Sequence, residues 1–131
     1  MKKPIWFAAL MLIVAGAFSV LQAADGSRFA GKWTGTWEGG GSGGSLVLTI
    51  AAGADAGEVA VGQDTGDYTA TFASVSVADD RLTIRYPYTP DPQADILLTG
   101  TFAGDSASGE WNMVAKGEST SFASGTWTVK R

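Results

Sequence analysis

The chain has 131 residues, with 13 acidic and 9 basic side chains and neither histidine nor cysteine. The acidic balance argues against nucleic acid or anionic lipid headgroups as partners. Without His or Cys the chain lacks the commonest general base, the thiolate nucleophile and the strongest zinc ligands, so a non-enzymatic role without metal or cofactor is expected.

Lys2-Lys3 precede an almost wholly apolar run, Ile5 to Leu21, which is followed by the small pair Ala23-Ala24. That is the pattern of a secretory signal peptide, and no basic stop-transfer cluster follows it. Residues 1–23 are therefore expected to be a signal peptide, and residues 24–131 a single secreted or periplasmic domain with no further membrane association. Cutting after Ala23 leaves Leu21 at the position that usually holds a small residue. Cutting after Ser19 puts Ala17 there instead. No Cys follows the run to take a lipid anchor, and an exported chain without Cys suits a bacterial periplasm. Cleavage after Ala23 leaves 108 residues and a net charge of −6, because Lys2 and Lys3 are lost. A domain of that size supports a modest core.

The first strand is expected within Phe29 to Glu38, where Trp33, Gly35 and Trp37 alternate with Lys32, Thr34, Thr36 and Glu38. Gly39 to Ser45 has no side chain to fix it and reads as a mobile loop. Ser45–Ala51 and Gly57–Gly62 form a hairpin; a turn near Ala54-Asp55 sets Ile50 against Val59 and Leu48 against Val61. After a turn at 63–67, Tyr68 to Val77 reads as one strand. Its alternation breaks between Phe72 and Val75, which predicts a β-bulge near Ala73-Ser74. Asp79-Asp80 turns the chain into Arg81–Tyr88, which ends in the segment containing Pro87, Pro90 and Pro92.

Ile96 to Met113 specifies its own pairing. A two-residue turn at Gly104-Asp105 sets Phe102 against Ala107, Gly100 against Gly109, Leu98 against Trp111 and Ile96 against Met113. All of these lie on one face, and a slip of one residue would mix them with Thr99, Thr101, Ser108 and Glu110. A loop at 116–120 leads to the last strand, Phe122–Arg131, with Ala123, Gly125, Trp127 and Val129 facing inward. The expected fold is thus all-β. It is an eight-stranded antiparallel up-and-down β-barrel, which leaves no exposed edge.

Gly-x-Trp recurs at Gly31/Trp33, Gly35/Trp37, Gly109/Trp111 and Gly125/Trp127. At strand spacing each Gly shares a face with its Trp, making room for a neighbouring indole and letting the strand bend. An opening Gly-x-Trp strand, an eight-stranded meander and a basic residue ending the last strand resemble the calycin group, the lipocalins and avidins. The resemblance implies that Trp33 packs beneath a basic side chain, Arg131 or Lys130. Trp111 and Trp127, aromatics at core spacing, are expected to fill and close the barrel. Where an avidin presents Asn and Ser to its ligand, this chain has Thr34-Gly35-Thr36, which argues against biotin.

The aspartates sit in expected turns, where they bond locally. The remaining candidates are aromatic. Trp37 lies beside the glycine run, and Tyr86 and Tyr88 flank Pro87 at a strand end. These three are expected to bind a small apolar or aromatic ligand at one barrel end. The alternative is a periplasmic interaction module, an inhibitor or accessory subunit, with a filled barrel and an extracytoplasmic protein partner.

Overall fold

The computed structural model describes residues 28–131. The expected signal peptide lies outside the described residues. Nine strands follow one another: β1 (Gly31–Gly39), β2 (Ser42–Ile50), β3 (Gly57–Val61), β4 (Tyr68–Thr71), β5 (Ser74–Ala78), β6 (Arg81–Pro87), β7 (Ala94–Ala103), β8 (Ser106–Ala115) and β9 (Ser121–Lys130). They form a single antiparallel sheet in the order β4-β3-β2-β1-β9-β8-β7-β6-β5. The sheet curls around one apolar core.

This corrects the expected closed eight-stranded barrel. The segment read as one strand, Tyr68–Val77, is two, and they form the two edges of the sheet. The break falls at Phe72-Ala73, one residue before the expected bulge. Phe72 N–H donates to the Gly57 carbonyl at the start of β3 (2.9 Å), and Ala73 N–H donates to the Arg85 carbonyl of β6 (2.7 Å). Successive amides thus serve opposite edges. These two amides bridge the edges only at the bend: β4 otherwise pairs with β3 alone and β5 with β6 alone, so no continuous ladder closes the sheet. Above the bend the gap between β4 and β6 is crossed by a side chain, Thr89 Oγ1 donating to the Thr69 carbonyl (3.3 Å).

Two other expectations need correction. Gly39 to Ser45 is not a loop. Gly40 and Gly41 alone make the turn, at φ 65° and 77°, and β2 already begins at Ser42. A two-residue turn with both φ values positive matches the twist of its strands, and Gly-Gly supplies it without strain. The β2–β3 hairpin keeps its inward face but shifts its register by two residues, so Leu46 faces Val61 and Leu48 faces Val59. The cause is the turn. Residues 51–56 close on themselves, with Ala54 in the left-handed region (φ 55°) and buried beneath the sheet. The β7–β8 register is the one expected, from Ile96↔Met113 to Ala103↔Ser106.

The inner face is crowded. A Cβ at Gly35, Gly44, Gly109 or Gly125 would run into the carbonyl of Thr128, Gly62, Thr99 or Glu38 respectively. So close an approach of backbones permits the tight curl, and only glycine tolerates it. The indoles fill the space. Trp111 faces Gly125 across β8–β9, Trp127 faces Gly109, and Trp37 faces Gly44 across β1–β2.

One end of the curled sheet is plugged. Phe29, just before β1, is 1% exposed and meets the Phe102 ring edge-on at 5.2 Å; Trp33, 0% exposed, meets the same ring at 4.9 Å. Trp33 Nε1–H donates to the Phe29 carbonyl (2.9 Å). Arg131 lies over the Trp33 ring, 4.4 Å from its centre, and Lys130 does not reach it, being exposed on β9 and paired with Thr34. Arg131 Nη1 donates to the carbonyls of Arg28 (2.7 Å) and Ala30 (2.8 Å), and its other nitrogens reach Asp105 and Gly104. One guanidinium thereby ties the lead-in segment to the β7–β8 turn.

Candidate functional site

The other end is not plugged. There β1 ends at the Gly40-Gly41 turn, and the 62–67, 88–93 and 116–120 connections lie around the opening. Between them is a half-open pocket of about 50 Å³, lined by Trp37, Trp111, Tyr68, Tyr86, Tyr88 and Met113, with Gln63 at its edge and Leu46, Val61, Ile96 and Leu98 beneath. The alternation of the strands places these side chains. Trp37 sits four residues along β1 from Trp33, on the same inward face, and Tyr86 and Tyr88 continue the inward series Leu82, Ile84 of β6.

The indoles are held by their N–H groups. Trp37 Nε1 donates to the Gly62 carbonyl (2.9 Å), and Trp111 Nε1 donates to the Glu38 carbonyl (3.0 Å). The two rings stand at 86° to one another, centroids 5.7 Å apart. Across the pocket Tyr68 and Tyr88 form a second perpendicular pair, at 5.1 Å and 83°. Such edge-to-face pairs are favoured by the ring quadrupoles.

The polar atoms of the pocket are neutral. Burial pushes the Tyr68 hydroxyl up to about 12 and the Tyr86 hydroxyl well above its usual 10. Gln63 Nε2 donates to the Tyr88 hydroxyl (3.2 Å), and Gln63 N–H is held in turn by Asp67 Oδ1 (3.2 Å). No carboxylate or basic side chain lines the pocket. Among the described residues no group of three or more Asp, Glu, His or Cys could hold a metal ion. The arrangement suits binding through apolar and ring contacts, with hydroxyls to orient a polar atom.

The structure brings together Trp37, Tyr86 and Tyr88, the three residues expected at a ligand site. Tyr86 is deepest, at 2% exposure, and Tyr88 is partly covered. The glycine run beside Trp37, expected as a mobile loop, contributes nothing to the lining, because it is a tight turn. Trp111, read only as a closing residue, also lines the pocket. Trp33 and Arg131 belong to the opposite end. Trp127 packs in the core, its Nε1–H on the Glu110 carbonyl (3.0 Å). The sequence reading missed Tyr68 and Gln63. Tyr68 was detectable, since it shares a face with Ala70 and Phe72. Gln63 was not, since a loop residue has no periodicity to orient it.

No protein-family model, no curated protein and no solved structure matches the chain.

Proposed function

We propose that this is an extracytoplasmic, calycin-like, non-enzymatic binding protein that takes a small apolar or aromatic ligand in the pocket at its open end. The observation that carries this reading is the asymmetry of the two ends. Phe29, Trp33, Phe102 and Arg131 pack one end shut, while aromatic side chains line an opening at the other. A protein that needed only a core would gain by filling both. The arrangement of Arg131 over Trp33 supports the calycin-like reading. Export rests on the N-terminal sequence pattern alone.

Native mass spectrometry of the protein purified gently from its own host tests the proposal. A reproducible extra mass that disappears on denaturation is expected, together with a change in Trp fluorescence as the ligand leaves. A bare mass and no fluorescence response to any small apolar or aromatic compound would overturn it.

The size of the pocket favours one other reading. At about 50 Å³ it is far smaller than the ~300–1,000 Å³ of sites that enclose drug-sized ligands. A nearly filled sheet suits an interaction module, an inhibitor or accessory subunit, acting through its loops. That reading predicts a specific extracytoplasmic protein partner and no effect of pocket-filling substitutions on the interaction.

A further inference from the structure

We propose that the open-end pocket is an aromatic cage for a methylated ammonium group, with the remainder of the ligand lying outside the opening. This inference rests on the ligand-binding reading above and narrows it to one ligand class.

Three observations converge. The first is size. About 50 Å³ has room for a few waters or one compact group, not for an extended apolar chain. The second is the wall. Trp37 and Trp111 form one perpendicular pair and Tyr68 and Tyr88 another, so four rings in differing orientations surround a small space. Ring faces carry negative potential and attract a cation within about 6 Å, most strongly where water is excluded. A primary ammonium placed there would lose hydration, with only hydroxyls and one amide to replace it. A fully methylated ammonium has no N–H to satisfy and presents methyl groups to the rings, so the neutral lining suits it better.

The third is charge. Glu38, Asp64, Asp67, Asp91 and Glu118 stand on the loops and strand ends around the opening. Apart from the paired Arg85–Asp95, Lys116 is the one base at that end among the described residues. Arg28, Lys32, Arg81, Lys130 and Arg131 all lie at the plugged end, where Asp55, Glu58, Asp79, Asp80 and Asp105 balance them, so the excess negative charge is concentrated at the opening. The chain is thus polarised along its length, and its field draws cations to the opening.

The test compares choline with 3,3-dimethyl-1-butanol, its uncharged isostere of the same shape, and with phenol, each titrated into the purified protein and followed by Trp fluorescence and NMR. Choline is expected to bind at least tenfold more tightly than its isostere, and less tightly as salt is raised. Trp37→Leu should weaken choline binding at least tenfold and Trp37→Phe less, with circular dichroism confirming that both variants fold. Equal binding of choline and the isostere, or binding of phenol alone, would overturn the cage while leaving a ligand pocket in place. Failure of all three to bind would overturn the cage, and a bare mass from the native protein would then remove the pocket reading as well.

Discussion

Trp111 and Gly125 face each other across β8 and β9, and the indole reaches past the glycine to donate its N–H to the Glu38 carbonyl of β1 at 3.0 Å. Three strands are joined by one side chain lying over a residue that has none. Trp37 repeats the device across Gly44 to the Gly62 carbonyl. The glycine allows the backbones to approach, and the indole covers the gap that the missing side chain leaves.

Gly125→Ala should therefore be among the most damaging single-methyl changes. Its Cβ would meet the Glu38 carbonyl and lie 2.5 Å from Trp111 Nε1. Backbone cannot yield as a flexible side chain can, so a loss of about 2–3 kcal/mol is expected in urea unfolding. Gly66→Ala, which meets nothing within 4 Å but sits at φ 131°, should cost only its backbone strain, about 1 kcal/mol.

Arg131→Ala removes the cation over Trp33 and the donors to Arg28, Ala30 and Gly104. The guanidinium is partly in solvent, so the loss should be about 1–2 kcal/mol. Lys at the same position should recover less than half of it, because one ammonium cannot match a planar fork. The midpoint of urea unfolding should fall with an unchanged slope.

Asp95 is the one buried charged residue among those described, and its Oδ2 accepts from Arg85 Nε at 2.8 Å. Arg85 Nη2 also donates to the Glu118 carbonyl (3.0 Å), holding the β8–β9 loop. Asp95→Ala leaves Arg85 without its carboxylate and should destabilise by about 2–3 kcal/mol. The double change Arg85→Met with Asp95→Leu should recover much of that loss. A double-mutant cycle in urea measures both.

Alkaline pH should weaken the fold through the tyrosines at the pocket. Tyr68 and Tyr86 are held neutral by burial, with Tyr68 pushed up to about 12 from 10.0. The unfolded chain releases these protons first. The stabilisation is therefore complete below pH 10 and is lost as pH rises through about 12. Tyr68→Phe should flatten that part of the stability curve. Tyrosinate absorbance should rise late for these two groups.

Met113→Trp would fill the pocket from the β8 side. It should abolish small-ligand responses while leaving the circular dichroism spectrum intact, because Met113 is only partly buried at the opening. Retained binding would place the ligand elsewhere.

The sequence by itself determined the all-β class, the β7–β8 register and the inward alternation of Trp33, Trp37, Trp111 and Trp127. Each follows from local rules: side chains alternate with period two, and a Gly-Asp turn fixes the pairing beside it. Tertiary structure decided the rest. Whether Tyr68–Val77 is one strand or two depends on which edges Phe72 and Ala73 bond, and their partners, Gly57 and Arg85, are distant in the chain. Whether Gly39–Ser45 is loose or a tight hairpin depends on the β1–β2 ladder that closes over Gly40-Gly41. The pocket draws its rim from β1, β4, β6, β8 and the 62–67 loop and its floor from β2, β3 and β7. No local pattern places Tyr68 opposite Trp37, because only the curl of the whole sheet brings β4 and β6 to the same opening as β1.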